Sequence, residues 1–230
     1  MVEKEFPRFS EYEPADFNGF KLKEPGSGSS GFLQKFFGIL KFIFGLCFLP
    51  CVYAVSQAFL NEISSADTVL RGAFWSGVIS ILVIYLFIWE ANIIYTKGHR
   101  ILEIVFNFFK PIVKVAPYLL PIYSIVLFVL YLILAYLFRV RDIINYFIFL
   151  MGFSVVFHLI FSAKSIRSKK RDFLKGNYIF GFSFIYITNI SLLSLFLSIM
   201  IEKFSFVAFA NNSFHIAQSI FNGIFKQLFL

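Results

Sequence analysis

His99 and Glu103 stand four residues apart in the stretch YTKGHRILE, and side chains at that spacing share one face of a helix, one turn apart. Zinc hydrolases use this spacing in the motif HExxH, where two imidazoles hold the metal and the Glu after the first His polarises the attacking water. This chain carries Arg100 where that base would stand and Glu103 where the second imidazole would stand. An Arg side chain accepts no proton near neutral pH, so the helix cannot run the usual hydrolysis. Glu103 can still offer an oxygen to a metal, but exchanging imidazole for carboxylate weakens a zinc site and moves its preference away from zinc. A plainer reading also fits: a polar turn at a membrane boundary in which Arg100 and Glu103 form an ion pair at helical spacing.

The elements that must position these residues are membrane spans. The chain of 230 residues is 59% hydrophobic, holds 35 Phe and 11 Tyr, and has a mean hydropathy of +0.79. Soluble domains are nearer half apolar and a quarter charged. Five apolar runs, at 36–58, 72–94, 115–138, 143–162 and 178–201, approach or exceed the roughly 20 helical residues needed to cross a hydrocarbon core of about 30 Å. Lipid offers no hydrogen-bond partners, and these runs lack the alternation of barrel strands, so each is expected to be a helix. The fold class is therefore all-α, a polytopic bundle of about five transmembrane helices.

A net charge of +8 would point to nucleic acid in a soluble protein, but here the basic residues sort by segment. With the N-terminus in the cytoplasm, sixteen of the 21 Lys and Arg fall on the inner side and only Arg71, Arg139, Arg141, Lys203 and Lys226 on the outer side. The positive-inside rule thus places the N-terminus inside and the C-terminus outside, with a multi-pass inner (cytoplasmic) membrane location. The lipid bilayer is the first partner and no nucleic acid is expected, because the basic runs sit on no folded aqueous surface. The KKR run at 169–171 reads as a topology signal, with anionic lipid head groups as its functional alternative.

Residues 1–31 hold six acidic and four basic side chains and end in PGSGSSG, which predicts a disordered cytoplasmic tail with a Gly/Ser linker. Its acidic, polar lead-in does not fit a signal peptide. Residues 32–202 form the bundle, and Pro50 within the first span predicts a kink or a helix end. Residues 203–230 contain an amphipathic stretch from Ser213, with Ile216, Ile220, Phe221, Ile224, Phe225 and Leu228 opposite His215, Gln218, Asn222 and Lys226. That pattern predicts an interfacial C-terminal helix rather than a sixth span.

Three polar side chains inside the spans stand out: Glu90, His158 and Asn189. Such groups are costly in lipid and have partners. His158 reads first as a neutral residue hydrogen-bonded to a neighbouring helix, with a ligand or proton-handling role as the alternative. Glu90 can reach the interface or pair with Lys97 or Arg100, and Asn189, Ser183 and Thr188 fit interhelical hydrogen bonding. Cys47 and Cys51 lie four apart on one helix, which suits packing rather than a disulfide or a metal. No Ser/His/Asp set or Gly-rich phosphate loop is present.

Beyond the first motif, the order of features resembles the integral-membrane metallopeptidases related to site-2 protease. The stretches that carry the resemblance are YTKGHRILE at 95–103, APYLLP at 116–121, FHLIF at 157–161, KKRD at 169–172 and GFSFIYITN at 181–189. The resemblance implies a zinc cofactor, with His99 as a first ligand, Glu103 in the place of the second, and Asp172 as a third, acidic ligand. Arg100 and the missing second His depart from the pattern, and these departures point to a pseudoenzyme: a metallopeptidase-like protein that has lost its chemistry, has no catalytic residues, is expected to hold well under one equivalent of zinc, and binds a membrane-protein partner. Two other readings stay open from the residues, an active zinc metallopeptidase with an atypical ligand set and a structural or transport-associated subunit. The chain shows no internal repeat of the kind transporters carry.

Overall fold

The computed structural model describes residues 30–87, 119–138, 143–168 and 178–229. Among these residues there are six helices and no strand: α1 (Ser30–Ser65), α2 (Thr68–Phe87), α3 (Ile122–Phe138), α4 (Ile144–Ser168), α5 (Tyr178–Met200) and α6 (Phe206–Phe229). Segments of α1, α2, α4 and α5 are long and apolar enough to cross a membrane, while the apolar α3 has 17 residues. The all-α membrane bundle expected from the five apolar runs is what the chain forms. His99, Arg100, Glu103, Asp172 and Glu90 lie outside the described residues, as do the far end of the second expected span and the start of the third.

Gly38–Leu230 form one compact unit. Contacts at two levels of each helix pair fix the directions. Ser56 of α1 meets Tyr186 of α5, Phe128 of α3 stacks on Phe196 of α5 at 4.3 Å, and Tyr131 of α3 meets Phe147 of α4 at 5.5 Å. Second contacts, Phe48 with Phe180, Leu119 with Asn189, and Tyr123 with Phe157, make α1, α3 and α5 run one way and α4 the other; Gly77 beside Phe149 and Tyr85 against Phe161 set α2 parallel to α4. The central element is α4, which packs against α2, α3 and α5, most extensively against α2. Its Phe147, Ile148, Met151 and Val155 join Ile190, Leu193 and Leu197 of α5 in the main core.

The α2–α4 crossing rests on two glycines. A Cβ on Gly77 would collide with the carbonyl of Phe149, and one on Gly152 would stand 2.5 Å from the carbonyl of Phe74. Without those Cβ atoms the two backbones come into van der Waals contact, the association mode that small residues allow between membrane helices.

Of the kink or helix end expected at Pro50, the helix end does not occur, since the 36-residue α1 runs through it. Proline removes one bond, to the carbonyl four residues before it, but ending the helix there would leave further carbonyls without partners in lipid. The C-terminal helix starts at Phe206, earlier than the periodic stretch from Ser213, and runs through Asn211 and Asn212.

A polar clasp closes one end of the bundle. The last turn of α1 leaves carbonyls without helical partners. Arg71 Nη1 of α2 donates to Ser64 O at 3.1 Å and caps that end. Ser205 caps α6 by accepting from the Ala208 amide at 3.2 Å. In a capping box the residue at position 208 would return the favour to the amide of Ser205, and Ala208 cannot. Glu62 of α1 replaces it, accepting from the Ser205 amide at 3.2 Å. Ser65 Oγ shares its single hydrogen between Glu62 O at 2.6 Å in its own helix and Lys203 O at 3.1 Å, and Lys203 Nζ donates to Asp67 Oδ1 at 2.7 Å. Thus the α1–α2 turn holds the α5–α6 turn and sets where α6 begins.

Candidate functional site

Seven polar residues are buried among the described residues, and all lie on α3, α4 and α5: Ser124, Ser154, His158, Ser162, Ser183, Asn189 and Ser194. Each sits on a helix that is otherwise apolar, so it must find a partner inside the bundle. Ser154 Oγ donates to Met151 O at 3.2 Å. With its single hydrogen so committed, it accepts from Ser124 Oγ, 2.8 Å away on α3. Ser194 donates back to Ile190 O within α5. On α1, Ser56 donates to Val52 O at 2.7 Å and therefore accepts from the Tyr186 hydroxyl at 2.8 Å, joining α1 to α5.

His158 is 2% exposed, and its Nε2 lies 3.2 Å from Ser162 Oγ one turn along α4. Its neighbour Phe157 faces another way, into a small aromatic cluster where it meets the Tyr123 ring edge-on at 5.8 Å and Phe161 at 4.8 Å. The pair FH therefore divides its two side chains between an apolar contact and a polar one.

Asn189 carries the most constrained polar group in the bundle. Its Nδ2 donates twice, to Ile185 O of its own helix at 2.8 Å and to Leu119 O at 2.9 Å. Leu119 lies just before α3, and Pro121 supplies the carbonyl that accepts from the Ile125 amide. Two carbonyls on the amide nitrogen fix its orientation, since the flipped amide would set oxygen against oxygen. The amide oxygen, Oδ1, is buried with no protein partner. A buried acceptor in that state costs about 1–3 kcal/mol.

Of the residues singled out from sequence, the structure therefore describes His158 and Asn189, on neighbouring helices and engaged in separate hydrogen bonds. Zinc is the metal that the resemblance implies. Among the described residues no three His, Cys, Asp or Glu side chains gather around one point. His99, Glu103 and Asp172, which the resemblance puts on the metal, lie outside the described residues. Cys47 and Cys51 are free thiols, with Cys51 Sγ donating weakly to Cys47 O at 3.8 Å within α1.

Sequence reasoning passed over three arrangements seen here. They are the glycine crossing of α2 and α4, the Ser124–Ser154 pair, and the clasp. At the clasp, the Asp67 hydrogen bond and charge hold the Lys203 ammonium pKa above its ordinary value. Compared with known protein families, curated proteins and solved structures, the chain matches none of them.

Proposed function

We propose that this chain is a noncatalytic membrane protein on the plan of the site-2-protease-type metallopeptidases, and that it works by binding the transmembrane segment of another membrane protein. The observation that carries the reading is the bond from Asn189 to Leu119. It joins two of the stretches on which the resemblance rests, GFSFIYITN and APYLLP, across 70 residues of sequence. The loss of catalysis is argued from Arg100, a fixed cation at the position of the general base, and from Glu103 in place of an imidazole.

For binding, the relevant surface is α2, the least buried of the four long spans. Gly72 and Ser76 stand one turn apart on its open side, and nothing lies within 4 Å of where a Gly72 Cβ would be. Small residues on a lipid-facing side let a second helix approach closely.

Metal content tests the reading. The purified protein is expected to hold well under one equivalent of zinc and to cleave no membrane substrate. Restoring the motif with Arg100→Glu and Glu103→His is expected to raise zinc toward one equivalent, because both imidazoles and the base would then be present at the right spacing. Stoichiometric zinc in the wild type, lost on His99→Ala, would sink the noncatalytic reading. No gain in the double variant would sink the metallopeptidase plan.

The same reading sets the chain in the inner membrane with the clasp and α6 on the outer side, as the distribution of Lys and Arg favours. A reporter that is active only outside the cytoplasm, fused after Leu230, is expected to be active. A cytoplasmic reporter active at that position would invert the topology.

A further inference from the structure

Beside the clasp, a cleft of about 550 Å³ opens between four helices. Its apolar walls come from Leu70 of α2, Tyr131 and Ala135 of α3, Ile144 of α4, and Ile199 with Met200 at the end of α5. Among the described residues its charged lining is Asp67, Glu202 and Lys203. The volume lies in the usual range for ligand sites, and a few charged groups above apolar walls is the usual make-up of one.

Three features say what fits. The cleft lies where α2 and α4 begin and α3 and α5 end, so it sits at the end of the apolar spans, and Ile199 on its wall is 56% exposed. Its rim offers both signs of charge, Asp67 and Lys203, whose side chains are 61% and 63% exposed. An exposed ion pair of this kind contributes only about 0–1 kcal/mol, so a ligand with complementary charges can divide it at small cost. The clasp does not depend on that pair alone, because Glu62 still holds the Ser205 amide.

We propose that this cleft binds a membrane phospholipid whose head carries both a phosphate and a primary ammonium, as in phosphatidylethanolamine, with the phosphate on Lys203 and the ammonium on Asp67. A primary ammonium donates hydrogen bonds to a carboxylate, which a quaternary ammonium cannot, so phosphatidylcholine is the weaker ligand. The glycerol and first methylenes pack on Tyr131, Ala135 and Ile199, and the chains continue into the bilayer. The assignment depends on the membrane bundle and not on whether the protein is related to a protease.

The test uses the full chain in detergent with short-chain phosphatidylethanolamine, phosphatidylcholine and phosphatidylglycerol of equal chain length, read by native mass spectrometry. Phosphatidylethanolamine is expected to bind about tenfold tighter than either of the others, the margin of one charge-assisted hydrogen bond. Ala135→Phe fills the cleft while leaving the Asp67–Lys203 pair, and is expected to lose that binding with the lipid-free melting temperature unchanged. If Ala135→Phe disturbs the fold, Lys203→Met decides, with the same loss expected. Equal affinity for the three heads, binding undiminished in Lys203→Met, or soluble phosphoethanolamine binding as tightly as the lipid would each overturn the assignment.

Discussion

Replacing Gly77 with alanine is expected to lower the stability of the purified protein by about 1–3 kcal/mol, the cost of overpacking, and Gly77→Leu by more. The added Cβ has no flexible side chain to displace. It meets the backbone carbonyl of Phe149, so α2 and α4 must separate along their most extensive contact. Gly152→Ala is expected to act the same way through the carbonyl of Phe74. Because both changes open one crossing, the double variant should lose less than the two single losses combined. Gly72→Ala is the control: it lies on the same helix, with nothing within 4 Å of the new Cβ, and is expected to be neutral or slightly stabilising. Thermal unfolding in detergent decides, and equal melting temperatures for Gly72→Ala and Gly77→Ala would remove the crossing from the account of stability.

That crossing also shows where the sequence stops being legible. The spans can be read from composition because crossing lipid demands a minimum apolar length of each segment by itself. Which glycine supports a helix crossing depends on a carbonyl from another segment. Nothing local distinguishes Gly77, closed over by Phe149, from Gly72, which is open. The start of α6 is hidden for the same reason. Ser205 is a good cap, but Ala208 breaks the local capping signature, and the missing acceptor is Glu62, 143 residues away. Hydrophobic periodicity found the part of α6 from Ser213 onward, whereas its first turns owe their position to the clasp. Pro50 failed as a breaker because the local preference against proline is outweighed by the lipid's demand for a continuous backbone. Among the site residues, His158 and Asn189 were visible as polar groups in apolar runs, and their partners Ser162 and Leu119 were not.

Asn189 gives the sharpest test of what the buried polar groups do, because two substitutions of similar size are expected to differ widely. Asn189→Asp replaces the donating amide with a second oxygen, which then faces the carbonyls of Leu119 and Ile185. Ionised, it is an unpaired buried charge facing two carbonyl oxygens. Protonated, it recovers at most one of the two bonds. Removing the partner of a buried polar group and leaving a charge behind costs on the order of 3–5 kcal/mol, so this variant is expected to fold poorly at neutral pH. Because the carboxyl must be neutral to be tolerated, lowering the pH should restore part of the loss. Asn189→Leu loses the tie to Leu119 but also removes the orphaned Oδ1, so the two effects oppose each other and a net loss of about 1 kcal/mol or less is expected. Melting temperatures of the two variants across acidic and neutral pH make the comparison. Equal losses in both, independent of pH, would mean that Asn189 acts through its volume and not through the bond to Leu119.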